Sequence, residues 1–244
     1  MDWQNIVSKV SPYIVKIETP TGSGTGFLCF YNMDKSFCGI ATAKHVVDDT
    51  DRWQQPLRIH SHNFSKTKLL KEESRIILTD ENTDSAVILF NPSDFDFPEE
   101  LVPLRPKEQL ISIGNEVGWL GYPGLYEWTL CFFSGCVSAS RTNSYLIDGV
   151  AINGVSGGPV LYSSNAEGVQ FVGVISAYRA NRQTGDTLPG LLIAQDVSHF
   201  HSVIQMFRNL DDARKKKGEE AAKRKQGENE PAQSPEPTAE SLPK

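Results

Sequence analysis

The apolar positions of this chain fall mostly in short runs of four to eight residues, and only two stretches carry them at helical spacing. Near the start, Trp3, Ile6, Val7 and Val10 share one helical face, which predicts a short amphipathic helix stopped by Pro12. Runs at 13–17, 26–30, 39–42, 75–78, 86–90, 117–120, 135–139, 158–161, 169–176 and 191–194 are punctuated by turn residues and read as strands. Many strands without long intervening helices mean an all-β barrel or sandwich. A Pro- and acid-containing stretch, 91–107, joins two β halves at about 12–95 and about 108–197. Val197, Phe200, Val203, Ile204, Phe207 and Leu210 form a second helical stripe, capped by Asp196 or Ser198 and packed on the barrel. These elements make one domain over residues 1–210. Residues 211–244 lose their apolar content and form a charged, solvated tail, helical to about 226 and disordered after it.

Composition narrows the setting. Net charge is −6, which argues against a general affinity for nucleic acid. In the segment 208–244 nine basic and eight acidic residues nearly cancel, so its Arg-Lys runs read as a solvated face or a docking site for a regulatory protein. No run reaches the roughly 18 apolar residues of a membrane span, and the first residues lack a basic, then apolar, secretory pattern. A cytoplasmic location is the expectation. Cys29, Cys38, Cys131 and Cys136 are too few and scattered for a disulfide scaffold, which predicts free buried thiols. Cys29 and Cys38 face each other across a hairpin only if the register allows it.

Three distant segments carry candidate chemistry: Ala41-Thr42-Ala43-Lys44-His45-Val46, Thr83-Asp84-Ser85-Ala86-Val87 and Gly154-Val155-Ser156-Gly157-Gly158-Pro159. They supply a base, an orienting carboxylate and a nucleophile in the order His, Asp, Ser. Glycines around Ser156 permit the tight turn that converging N–H groups need, and the N–H groups of Gly154 and Ser156 are the oxyanion donors. Asp84 enters an apolar strand, where a carboxylate requires a partner such as an imidazole N–H. Asp80 lies outside that strand and is the lesser candidate. The Gly-x-Ser-x-Gly string also fits a nucleophile elbow, but that arrangement needs a following helix and a later acid and histidine. Here β-like sequence follows, and His199 and His201 fall on the terminal helix. Gly22-x-Gly24-x-Gly26 leads into a strand, so it is not a phosphate loop. His60-x-His62 has nothing nearby to complete a metal site, and solvated loop histidines are expected.

With these residues in place, the chain resembles chymotrypsin-fold, trypsin-like serine proteases, closest in texture to the HtrA/Deg group without its PDZ domain. Gly22-Ser23-Gly24-Thr25-Gly26-Phe27, Gly118-Trp119-Leu120-Gly121-Tyr122-Pro123, Gly135-Cys136-Val137-Ser138-Ala139 and 147–153 carry the likeness, which covers about residues 4–207. The resemblance implies an all-β, chymotrypsin-like double β-barrel with short N-terminal and C-terminal helices. It implies a serine endopeptidase using His45, Asp84 and Ser156 through an acyl-enzyme, on a protein or peptide substrate, with neither metal nor organic cofactor. It places the floor of the specificity pocket at Val150 and one wall at Ser176, Ala177 and Tyr178. With no acid at Val150, Lys or Arg at the cleaved bond is disfavoured, and Tyr178 narrows the pocket toward small or medium apolar side chains. Val155 stands where digestive zymogens carry Asp, so activation by N-terminal cleavage is not expected. The alternatives are a silent protease-fold module that binds peptides or acts as a scaffold, and a latent protease gated by a partner.

Overall fold

The computed structural model describes residues 2–107, 109–126, 128–150, 152–164, 166–180 and 187–228. Helix α1 (Trp3–Val10) buries Ile6 and Val10 and is capped by Asp2, whose carboxylate accepts from the Asn5 N–H. Pro12 does not end it abruptly, because Ser11–Tyr13 add one 3-10 turn before the first strand.

The first half is a seven-stranded antiparallel sheet, curled but open. It contains β1 (Ile14–Thr19), β2 (Gly22–Tyr31), β3 (Cys38–Thr42), β4 (Leu57–Ser61), β5 (Thr67–Leu70), β6 (Arg75–Thr79) and β7 (Ala86–Phe90). Their order is β5-β4-β1-β2-β3-β7-β6. The second half closes into a six-stranded barrel of β8 (Glu116–Gly121), β9 (Cys131–Arg141), β10 (Ser144–Asp148), β11 (Pro159–Ser164), β12 (Gly168–Ala180) and β13 (Thr187–Asp196). This is the chymotrypsin-like double barrel expected from the sequence, its first half less closed than its second. Strands β4, β5 and β10 go beyond those read from hydrophobic runs, since each is short and mixes polar with apolar positions.

One helix was not foreseen. After β3 the chain enters α2 (Lys44–Arg52), whose N-cap residue Ala43 offers no side-chain acceptor. At the other end of the domain, α3 (Ser198–Glu228) starts under Asp196, whose carboxylate accepts from the Ser198 N–H and hydroxyl. It continues past residue 210 to Glu228, close to the helical end near 226 expected from the sequence. Phe200 is fully buried and meets Phe27 edge-on, and Phe207 packs on Phe30. Leu210 is half-exposed, and residues 212–219 are all exposed. The expectation for 229–244 lies outside the described residues.

Two buried clusters fill the halves. The larger joins strands of the first sheet to Leu120, Tyr122, Leu161, Phe171 and Val174 of the second half and to α3. Phe27 and Phe171, with ring centroids 4.5 Å apart, sit at that junction. The smaller packs Val117, Trp119, Ile147, Val155 and Val160 inside the closed barrel. Segment 103–105 bonds to Phe171 from both sides, tying the connection between the halves to β12. All four cysteines are free, but only Cys29 and Cys38 are buried as expected, Cys136 being exposed, and the β2–β3 register sets Cys38 opposite Tyr31 rather than Cys29. Burial pushes the Cys38 thiol up to about 12, so it stays protonated and inert.

Candidate functional site

His45 occupies the first turn of α2, where N–H groups lack partners inside the helix. Asp84 supplies those partners from 39 residues away. Its carbonyl accepts from the Lys44 N–H at 3.3 Å, and its Oδ1 accepts from the His45 N–H at 2.9 Å. The same carboxylate turns Oδ2 to the His45 ring, 2.7 Å from Nδ1, and accepts the Ser176 hydroxyl at 2.6 Å. One group therefore caps the helix and fixes the imidazole that the helix carries. Burial alone would raise the Asp84 carboxyl, but hydrogen bonds from His45 and Ser176 outweigh it and hold the group below its ordinary range. Asp80 faces elsewhere, binding the Asn82 N–H and Thr83 hydroxyl, so it orders the turn ahead of Asp84 rather than the imidazole.

Ser156 sits at the second position of a tight turn closed by the Gly158 N–H and the Val155 carbonyl, 2.9 Å apart. Gly157 takes the next position at φ +85°, as a turn of type II requires, and a Cβ there would collide with the Thr25 carbonyl and the Thr42 hydroxyl. Gly154, at φ +93°, is pressed on the Tyr122 carbonyl. The turn is anchored on β2: the Thr25 N–H donates to the Ser156 carbonyl at 2.8 Å. The buried Thr25 hydroxyl donates to the Gly154 carbonyl at 2.8 Å and accepts from the Tyr122 N–H at 3.0 Å. Thr42, three residues before His45, donates its hydroxyl to the Thr25 carbonyl at 2.7 Å. Thr25 thus links the Ser156 turn to the strand that leads into His45. Sequence reasoning did not single out Thr25, Thr42 or the carboxylate-binding role of Ser176. The signal available was a hydroxyl residue inside a Gly-rich strand, which needs a partner once buried.

The structure therefore brings His45 and Asp84 into direct contact and sets the Ser156 turn beside them. The Ser156 hydroxyl itself makes no hydrogen bond to a described residue, His45 included. The N–H groups of Gly154 and Ser156 donate to no described acceptor.

Val150 is 53% exposed and follows the end of β10 at Asp148. Ser176 directs its hydroxyl at Asp84, and Ala177 is exposed. The side chain of Tyr178 lies outside the described residues. Among those residues, β11 pairs with β12 only as far as Val174, so the edge of β12 from Ser176 onward is open on that side. His60 departs from the solvated loop expected of it. It is buried on β4, with Nδ1 2.8 Å from the Thr67 hydroxyl and Nε2 3.0 Å from Glu18. Among the described residues no group of three or more His, Cys, Asp or Glu is disposed to hold a metal ion. No described helix is long and apolar enough to cross a membrane.

Solved structures share this architecture. A crystal structure of Rv3671c from M. tuberculosis H37Rv, an inactive serine-to-alanine mutant, aligns with a TM-score of 0.56 at 17% identity, covering 84% of this chain and 90% of that one. The serine endoprotease from Yersinia pestis aligns with a TM-score of 0.60 at 19% identity, covering 85% of this chain and 66% of that one. At these identities the likeness establishes the fold. No curated protein matches the sequence. The trypsin-like peptidase domain matches residues 24–174, which is well over half of the chain and takes in all three candidate segments, and the protein therefore belongs to the trypsin-like peptidase family.

Proposed function

We propose that the protein is a serine endopeptidase. The observation that carries this reading is the Asp84 carboxylate, which collects the His45 N–H, the His45 ring and the Ser176 hydroxyl beside a Ser156 turn held by Thr25. Asp84 keeps the proton of His45 on Nδ1, leaving Nε2 as the face that takes the Ser156 proton. Ser156 Oγ attacks the peptide carbonyl, and the N–H groups of Gly154 and Ser156 receive the negative charge that develops on its oxygen. His45 returns the proton to the leaving amine, and water, deprotonated by the same imidazole, releases the acyl group. In such sites the imidazole–hydroxyl bond is commonly long without substrate and tightens as substrate binds. The open edge of β12 from Ser176 offers backbone groups on which the acyl half of a peptide adds as a strand.

The test is covalent labelling with a fluorophosphonate followed by peptide mapping. Modification at Ser156, lost in Ser156→Ala together with a turnover loss on the order of 10⁶-fold, is the expected result. Labelling that appears only with a partner present marks the latent, gated protease, and its absence in a folded protein with or without partner sinks the reading and favours the silent peptide-binding module.

A further inference from the structure

A second constellation lies close to Ser156 and plays no part in that chemistry. On β1, Lys16 is 94% buried, by its 6% exposure, and donates to Glu18 Oε1 at 2.9 Å. Glu18 turns its other oxygen to His60, 3.0 Å from Nε2. Burial would raise the Glu18 carboxyl, yet hydrogen bonds from Lys16 and His60 hold it below its usual range, so both its oxygens are committed as an anion. Trp128 stands at φ +68° in the turn closed by the Thr129 N–H and the Tyr126 carbonyl, and its ring lies over the Lys16 ammonium at 3.7 Å. Around them opens a small cavity of about 140 Å³, with Lys16, Glu18, Ser23, Tyr122, Gly124 and Trp128 on its walls. That is the liquid volume of roughly four or five water molecules.

The position of this cavity is what gives it meaning. Ser23 lies two residues before Thr25, whose N–H holds the Ser156 carbonyl, and β2 advances about 3.4 Å per residue, so the cavity opens about 7 Å along the strand from the turn. Gly124 donates to the Asn153 carbonyl at 2.8 Å, which fixes the opposite wall against the oxyanion segment. If the acyl half of a peptide lies along β12, its leaving half passes over Ser23, and about two residues beyond the cut bond reach this opening. Tyr122 spends its hydroxyl on the His62 carbonyl. Glu18 has both oxygens bonded already, to Lys16 and His60, so among the described residues the side-chain groups left to meet an occupant are the remaining N–H groups of Lys16, the indole N–H of Trp128 and the exposed Ser23 hydroxyl. All three can donate.

We infer that this cavity is a subsite for an acidic side chain, Asp or Glu, at the second residue of the leaving half of the substrate. The inference rests on the peptidase reading above. Lys16 meets the incoming carboxylate, while Glu18 and His60 hold Lys16 in place and Trp128 shields the pair from water. Glu18 already balances the charge of Lys16, so what favours a second carboxylate is the N–H groups that Glu18 does not take, each able to form a charge-assisted hydrogen bond.

The experiment is cleavage of a peptide library randomised on both sides of the cut bond, with products read by mass spectrometry. It is run on the full chain and on Ser23→Glu, a change at an exposed position that adds a carboxylate at the cavity mouth. Glu or Asp at the second leaving-side residue should be cleaved on the order of tenfold faster than Lys, and Ser23→Glu should erase or invert that order. Lys16→Met should flatten it. A flat profile, or a preference for Lys, in a protein that cleaves peptides overturns the subsite and leaves the peptidase reading standing. Binding of the same peptides to Ser156→Ala separates the two readings. Acid-selective binding that Ser23→Glu abolishes supports the subsite even where hydrolysis fails, and unselective binding overturns it.

Discussion

Replacing Thr25 by Val tests how the Ser156 turn is held. The two side chains are nearly isosteric, so the backbone bonds from Thr25 to Ser156 and Thr42 survive. The substitution removes only the hydroxyl that donates to the Gly154 carbonyl and accepts from the Tyr122 N–H. Thr25 is fully buried, so water cannot replace either partner. Each orphaned buried group costs about 1–3 kcal/mol, which gives roughly 2–6 kcal/mol for the pair. For a chain of this size that lowers Tm by roughly 5–20 °C. Thr25→Ser keeps both bonds and loses one buried methyl, worth about 1 kcal/mol. Urea denaturation supplies the stabilities, and the rate of fluorophosphonate modification of Ser156, measured well below the melting transition, reports the geometry of the turn. Thr25→Val should label at least tenfold more slowly, with Thr25→Ser close to the parent. If Thr25→Val were within about 0.5 kcal/mol of the parent and labelled at the same rate, the turn would not depend on this hydroxyl and the reasoning would fail.

Three further outcomes follow from the same geometry. Because the Asp84 carboxyl is held below its ordinary 3.8, its contribution to stability is fully present above that value and is lost as pH falls through the depressed one. The stability gap between the parent and Asp84→Asn should therefore be widest near pH 7 and close below about pH 4 in urea melts, and a gap independent of pH would contradict the ionised network. Gly157→Ala should cost about 3 kcal/mol or more and abolish labelling, since it combines positive φ with a collision on Thr25; a well-folded, fully labelled variant by thermal melting would refute this. Phe200→Ala should destabilise by about 3–5 kcal/mol in the same melts if α3 is part of the core, and a change under about 1 kcal/mol would show the helix to be a loose appendage.

The sequence carried the architecture where periodicity was clean. Strands β2, β7 and β12 hold long apolar runs, and α1 and the start of α3 show unambiguous stripes. It was silent where the partner of a residue is remote. Helix α2 carries only Val46 and Val47 as large apolar residues and has no local cap, because its cap is Asp84. His60 read as a loop residue because its neighbours Arg58 and Ser61 are polar, whereas Glu18 and Thr67 on adjacent strands make its burial affordable. The contact of His45 with Asp84 was legible from residue type and order alone. The exposure of Val150 and the direction of the Ser176 hydroxyl were not, since they depend on how β10 and β12 end and bulge.

The aromatic junction of Phe27, Phe171 and Phe200 has a further implication for how a polypeptide gains entry. Jaws joined through one shared buried cluster cannot swing apart without exposing it, so access by a hinge motion would cost much of what that cluster contributes to stability. Under the proposed activity, the enzyme would select for conformation before chemistry. Extended or already unravelled stretches could lie along its rim, while well-folded client proteins would pass untouched.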